Sequence, residues 1–456
     1  MRRSTRFNRP GLTGSSRSAM LLGADGDGST LNLDFTTMTA TADLTARGLT
    51  FTRGSNGTRI NASGFVETMS NNVARFDHDP TTLAPRGLLV EGASTNLCEQ
   101  GQYCWGTGAT NTWARSAEVH VNAVNGTAGA SAVARIDGPD GGSLTGTSLF
   151  KQAGTATFVR TNINVAVAQS TTYTFSAYVR APSGGNPYMR LAVFNGGTWL
   201  NTTGDTTASG ITITNTAGNG SRFNGVPSTA WVRIWVTFTT QAGQTSATIA
   251  FYPDTDTQSA ATMYVWGGQV ESGSGPSSVI LTGASTATRV ADFCLMTGTN
   301  FSSWYQGGTQ GTFYADWFGG VRPGASGSTN RTVLSTDDVS TKHLHFLQTA
   351  AAGNLRVADF GGLNNVTTAN TLTSGARTKG AFGYNGSSAS VCLNGGTVAT
   401  GSSLAFSVAP TWLVIGATST DGTSLTDANV VLNNSIRQIK YWPTRLPDST
   451  IQNLTL

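Results

Sequence analysis

Glutamate and lysine are nearly missing from this 456-residue chain, which holds five Glu and four Lys and is only 11% charged. Both are good helix formers, so their scarcity excludes a fold built on long, charged surface helices. Long apolar runs are missing as well. No stretch approaches the roughly 18 residues of a membrane-crossing helix, so no membrane partner is expected. Cysteine is sparse. Cys98 and Cys104 are close enough to pair across a turn, but with Cys294 and Cys392 they make only four thiols. That is too few to staple a chain of this size, and the spacing matches no zinc site. Mostly buried, free thiols are the expectation. A net charge of +4 spread over this length is a weak field and makes no case for nucleic acid as a partner.

What the chain does hold is glycine, 56 residues, together with abundant Thr, Ser and Asn. Short strands joined by Gly, Asn and Ser turns follow from that mix, so the expected class is all-β. The length implies two or three domains rather than one core. Residues 1–30 carry Arg2, Arg3, Arg6, Arg9 and Arg17 before the first acidic residue, Asp25. Nothing apolar there anchors a core, so a flexible basic arm is expected, either a docking peptide or a solvated tail. Its first 23 residues have no continuous apolar stretch, and no secretory signal is expected.

Residues 31–97 read as a turn-rich anchoring or connector block, and the stretch 51–97 is its most distinctive part. It holds four Arg among Gly, Asn and Asp, with short alternating pieces broken by Asn-Gly and Ser-Gly turns. Arg75 stands beside Phe76, with Asp77 and Asp79 close behind, a spacing that predicts a local charge-assisted network and a turn at Pro80. Residues 98–290 alternate clearly, as in Tyr173, Phe175, Ala177 and Val179. The segment 231–239 alternates too, Trp231, Arg233 and Trp235 against Val232, Ile234, Val236 and Phe238. A two-sheet sandwich is expected there. Residues 291–456 give a further set of strands, an Asn-Gly hairpin in VCLNGGTVAT, and a short terminal helix with Asp448 as its expected N-cap.

Three stretches resemble known families. FTRGSNGTRINASGFVETMSNNVARFDHDP followed by RGLLVEGASTNL is similar to a segment recurrent in tailed-bacteriophage virion proteins, departing from the usual pattern at Gly54 and Gly57. YTFSAYVRAPSG, WVRIWVTFTT and MYVWGGQVESGSGPSSVILT resemble the carbohydrate-binding-module-like jelly rolls of such proteins, with 279–282 in place of the usual Tyr- and Pro-containing closing segment. Residues 300–456, through VCLNGG and SIRQIKYWPTRLPDSTIQNLTL, resemble the concanavalin A-like, laminin G-like sandwich. These resemblances imply two tandem β-sandwiches, a jelly roll at 98–290 and a concanavalin A-like domain at 291–456, after an N-terminal anchoring arm.

They also imply a function. The expected protein is a fibre, spike or decoration subunit of a virion, assembled in the host cytoplasm and attached to other virion proteins through its N-terminal region, Arg2, Arg3, Arg6 and Arg9 included. Its sandwiches would face host cell-surface polysaccharide, and fibres of this kind are commonly homotrimers. The alternatives are a cement protein without glycan binding and a polysaccharide depolymerase.

Sugar binding needs exposed aromatic faces near amide or carboxylate groups. Tyr188, Trp199 and Tyr252 are the expected platforms, whereas Trp231, Trp235 and Trp266 sit in alternating strands and are expected in the core. Asp254 and Asp256 are oxygen donors of the kind Ca²⁺ takes, but a solvated loop accounts for them better, and no cofactor is expected. His343 and His345 would share one strand face without an evident third metal ligand. Asp77, His78 and Asp79 are read as a folded turn. The Glu residues are isolated, and no nucleophile elbow, P-loop or zinc-protease motif occurs, so the expectation is that the chain is not an enzyme.

Overall fold

The computed structural model describes residues 26–99, 101, 114–115, 119–120, 135–151, 161–184, 188–195, 198–199, 202–205, 212–216, 220–253, 261–306, 308–319, 330–337, 344–348, 353–359, 365–373, 375–402, 404, 410–427 and 430–456. The chain is all-β, as its composition requires, and forms two β-sandwiches. One sandwich packs the sheet containing Thr172–Arg180, Val232–Thr239 and Ala261–Ser272 against the sheet containing Thr161–Ala166, Tyr188–Asn195 and Ser246–Tyr252. The period-2 pattern makes that core. Tyr173, Phe175, Ala177 and Val179 lie opposite Phe238, Val236, Ile234 and Val232, and their side chains enter one cluster. The alternate residues of the same strands point away from that core: Arg180, Arg233 and Trp235 are part-exposed, and Tyr178 joins a second buried cluster.

The other sandwich pairs a sheet built on Gln310–Phe318, Arg377–Asn385 and Asn434–Trp442 with one built on Arg331–Asp337, Trp412–Ile415 and Phe293–Thr297. Its centre is aromatic. Phe313 stacks on Phe382 at 5.3 Å between ring centroids, and Trp304, Tyr305 and Tyr441 pack around it. The terminal helix Asp448–Leu454 docks Ile451 beside Tyr314, Trp442 and Cys392. Asp448 is its first helical residue and is held by Arg445 at 2.6 Å; Pro447, not Asp448, occupies the N-cap.

Residues 31–97 are not the separate connector that the sequence predicts. Leu31–Asp34 pairs with Asn434–Trp442, Thr50–Thr52 pairs with Phe293–Thr297, and Phe76–His78 and Pro85–Val90 extend the same sheet as Asn434–Trp442. These short strands supply both sheets of the later sandwich with strands that local sequence cannot provide, and Leu31, Leu33 and Phe35 are fully buried in its core. The expected arm is shorter than 1–30, since Asp27 accepts from Lys440 and Trp442 Nε1 donates to the Asp27 carbonyl. Arg2, Arg3, Arg6 and Arg9 lie outside the described residues.

The first sandwich is therefore inserted into the second. The chain leaves through Ser94–Asn96 and returns through Ala287–Arg289, and those two segments pair antiparallel, Ser94 opposite Arg289 and Asn96 opposite Ala287. Entry and exit side by side are what lets a whole domain interrupt another without disturbing its sheets. No helix among the described residues is long and apolar enough to cross a membrane.

Candidate functional site

Among the described residues, a group of buried charges meets at the insertion point. Arg53, Arg75, Glu91, Arg289 and Asp292 are all buried. Arg75 donates through Nη1 to Glu91 at 2.7 Å, to the Thr58 carbonyl at 2.9 Å and to Ser278 Oγ at 2.7 Å, and through Nη2 to Asp292. Arg53 meets the other oxygen of Asp292 at 3.1 Å. Arg289 lies 3.4 Å from Glu91 and donates to the Gly92 carbonyl and to Ser277 Oγ. Glu91 also accepts from the backbone and side chain of Ser278, at 2.7 and 2.6 Å. Ser277 passes the network on to Glu271, which accepts from Ser94 Oγ and Gln269 Nε2 as well.

Burial works against the Glu91 carboxylate, but Arg289, Arg75 and the Ser278 donors together hold its pKa far below the usual range. Burial likewise opposes the Arg75 charge, and Asp292 and Glu91 more than offset it. Burial pulls Arg53 and Arg289 below the ordinary arginine value despite Asp292 and Glu91. Arg75 thus turns away from Asp77 and Asp79, the partners that the sequence spacing predicts, because carboxylates more than two hundred residues away and sixteen residues away reach it in the core.

A cleft of about 540 Å³ opens beside this network. One wall is the outward face of Val232–Thr239 and its lead-in, with Trp231, Arg233 and Trp235. The other is Phe76–His78 and the turn after it, with Asp77 in the strand and Asp79, Pro80 and Thr81 in the turn, and its floor reaches Asn433 and Asn434 of the host sandwich. Trp231 and Trp235 are part-exposed. Arg180 covers the Trp231 ring at 5.5 Å, and the indole N–H donates to the Asp137 carbonyl at 3.0 Å. Asp77 accepts from the Ile60 N–H at 2.7 Å; burial pushes its carboxyl up, with that N–H and Arg86 opposing. Asp79 caps its own turn by accepting from the Thr81 and Thr82 N–H groups, and although burial pushes its carboxyl up, those bonds bring it below the usual value.

The expected sugar platforms fall elsewhere. Tyr252 is 1% exposed, its ring packed beside Arg190, Ala192 and Phe194, so it offers no free face. Tyr188 lies in Tyr188–Asn195 and Trp199 in Thr198–Trp199, both in the sheet opposite the cleft face. Trp266, expected in the core, is fully buried in a cluster with Tyr178, Val66 and Val279. Trp231 and Trp235 correct the sequence reading: in a sandwich strand only one face meets the core, and Ile234, Val236 and Phe238 already fill it. Arg233 on the Trp face was the available signal.

Cys98, Cys294 and Cys392 are buried. Cys104, Asp254, Asp256 and His343 lie outside the described residues, and His345 lies in Leu344–Gln348. Among the described residues no group of three or more His, Cys, Asp or Glu side chains could hold a metal ion.

No protein-family model and no curated protein matches this chain. Solved structures similar to parts of it include domain 4 of AbnA, a GH43 extracellular arabinanase from Geobacillus stearothermophilus, in complex with arabinotriose. That match has 12% identity, covers 40% of this chain and 82% of the other, and has a TM-score of 0.29. The leech intramolecular trans-sialidase complexed with 2,7-anhydro-Neu5Ac matches at 17% identity over 34% of this chain and 24% of its own, with a TM-score of 0.27. The CBM22-1–CBM22-2 tandem domain of Paenibacillus barcinonensis Xyn10C matches at 9% identity over 77% and 97%, with a TM-score of 0.22. The expectation that the chain is not an enzyme is withdrawn, since an arabinanase domain and a trans-sialidase stand among the similar structures.

Proposed function

We propose that the cleft binds polysaccharide and that the chain is a subunit of a tailed-bacteriophage particle which uses it to engage host cell-surface glycans. The observation that carries the binding reading is the convergence of two part-exposed indoles, Trp231 and Trp235, with Asp77, Asp79, Asn433 and Asn434 on one cleft. Indole faces stack on the C–H face of a sugar while carboxyl and amide groups take its hydroxyls, and junctions between domains are common places for such sites. The test is retention of the full chain in gels containing polysaccharide. Trp235→Ala is expected to weaken retention by tenfold or more, about 1.4 kcal/mol, with unchanged thermal unfolding. Equal retention of the variant would remove the cleft from the reading.

The virion part is supported by the likeness of residues 51–97 to phage virion segments. In it, the N-terminal region with Arg2, Arg3, Arg6 and Arg9 contacts other virion proteins, assembly takes place in the host cytoplasm, and the chain acts as a homotrimer. Mass spectrometry of purified particles and mass photometry of the purified chain test these points; a chain absent from the particle ends the virion reading.

A second reading, glycoside hydrolysis, is favoured by one observation. Asp77 and Asp79 line the same cleft and are pushed in opposite directions, the arrangement that separates a proton donor from a base. Release of reducing ends that persists in Asp77→Asn and Asp79→Asn would end it.

A further inference from the structure

The two walls of the cleft differ in charge and, given the polysaccharide reading above, that difference selects the glycan. The wall from the host sandwich carries both signs. Arg59 holds Glu67 at 2.9 Å, Arg86 lies 3.8 Å from Asp79, and Glu91 is enclosed by Arg75 and Arg289. Asp77 accepts from the Ile60 N–H. The wall from the inserted sandwich is lined by Tyr178, Trp231, Val232, Arg233, Trp235 and residues 276–279, and its only charged lining residue is Arg233.

Arg233 donates to two neutral acceptors, the Ser277 carbonyl through Nη1 and Ser176 Oγ through Nη2. These orient the guanidinium and leave its positive charge in place, and each terminal nitrogen keeps a second N–H. Glu271, a carboxylate of the same sandwich, is fully buried and takes its donors from Ser94, Gln269 and Ser277. Arg180, over the Trp231 ring at 5.5 Å and the Tyr264 ring at 5.3 Å, adds a second positive charge beside this wall. Among the described residues neither Arg180 nor Arg233 forms an ion pair.

Strand register fixes where the Arg233 charge sits. Tyr178 is paired with Arg233, and Ser176 with Trp235. The guanidinium passes over the Tyr178 ring at 5.8 Å and reaches Ser176, so it is held beside Trp235. Cross-strand neighbours stand about 5 Å apart, roughly the width of one sugar ring. A ring resting on the Trp235 indole therefore brings an acid group on that ring within reach of Arg233. The planar guanidinium matches a carboxylate through two parallel hydrogen bonds.

We infer that the cleft takes an acidic polysaccharide, with a carboxylated sugar ring on Trp235 and its carboxylate on Arg233, which sets the specificity. Affinity electrophoresis of the full chain compares polygalacturonate, alginate and hyaluronate with the same polymers after reduction of their carboxyl groups to alcohols. Dextran and galactan are the neutral controls, and dextran sulfate is a polyanion without carboxylates. The expected result is retention by a carboxylated polymer that falls about tenfold or more on reduction, with the three control polymers bound no better than the reduced one. Arg233→Gln, which keeps an amide donor near Ser277 and Ser176, should lose about tenfold or more on the carboxylated polymer, and Arg233→Lys should recover part of that loss. Arg356→Gln, on the host strand Asn354–Ala358 and outside the cleft lining, should lose nothing. The reduced polymers are tested on the unaltered chain, so that comparison stands even if a variant fails to fold. A neutral, reduced or sulfated polymer bound as tightly as the carboxylated one overturns this inference while polysaccharide binding stands, and so does a loss in Arg356→Gln equal to that in Arg233→Gln. Binding to none of the polymers overturns the polysaccharide reading, and this inference with it.

Discussion

Asp292 is fully buried between Arg53 and Arg75, and it also accepts from the Glu91 N–H at 2.8 Å. Replacing it by Asn would leave two buried guanidiniums short of a counter-charge. Breaking one side of a buried ion pair costs about 3–5 kcal/mol, and guanidinium denaturation of Asp292→Asn is expected to show a loss of that order. Glu91 sets a pH dependence of definite sign. Its folded pKa lies below its ordinary value of 4.5, so its contribution is complete above about that pH and is lost as pH falls toward the folded value. Asp77 acts in the opposite sense. Its folded pKa is raised from 3.8, so its contribution is present below that value and is lost as pH rises through the folded pKa. Asp77→Asn, which keeps an acceptor for the Ile60 N–H, should therefore raise the melting temperature at pH 7 and leave it unchanged near pH 3. A lower melting temperature at pH 7 would contradict the assigned burial of that carboxyl.

At the scale of the element, the strand Pro85–Val90 shows how tightly the 51–97 block is drawn into the host sheet. Gly87 adopts φ +91°, and a Cβ there would sit 2.1 Å from the Ile436 carbonyl oxygen of the adjoining strand. Only glycine permits both the backbone conformation and the approach. Gly87→Ala is expected to cost more than about 2 kcal/mol, read as a drop in the denaturation midpoint, because neither clash partner is a side chain that can move aside. The strand boundaries near Tyr173 and Trp231 are legible in the sequence, since alternation over eight or nine residues is a local signal, whereas Gln310–Phe318 is legible only from Phe313 onward. Leu31–Asp34 is legible as a strand but not as part of the host sheet, and Phe76–His78 corrects the reading of Asp77 and His78 as a turn. Leu31 pairs with Tyr441 near the far end of the chain, whereas Phe76 pairs with Leu88 in the next strand, and three or four residues carry too little pattern to choose among edges.

For the whole molecule, the insertion makes the buried charge network a joint. Glu91, Arg289 and Asp292 belong to the segments flanking the insertion, whereas Glu271, Ser277 and Ser278 come from the inserted sandwich and its exit, and hydrogen bonds run between the two sets. The two sandwiches should therefore unfold as one cooperative unit. Arg289→Ala removes the donor to Gly92, Ser277 and Ser278 and is expected to split the calorimetric transition in two; a single unsplit transition in the variant would show that the joint does not couple them.

Composition and alternation are enough to specify an all-β chain with a sandwich in residues 98–290, because strand periodicity and the scarcity of helix formers are local properties, whereas the second sandwich is implied by the resemblance of residues 300–456. Neither could specify which tryptophans face water. Trp231 and Trp235 look like core residues in one dimension, and they become cleft walls only because the opposite face of their strand has already met the other sheet. The same holds for Arg75, whose neighbours in sequence are Asp77 and Asp79 but whose partners are Glu91 and Asp292. Charges taken out of water must be paired at short range, and which charges come within range is settled by the return of the chain through Ala287–Arg289 to the strand at which it left.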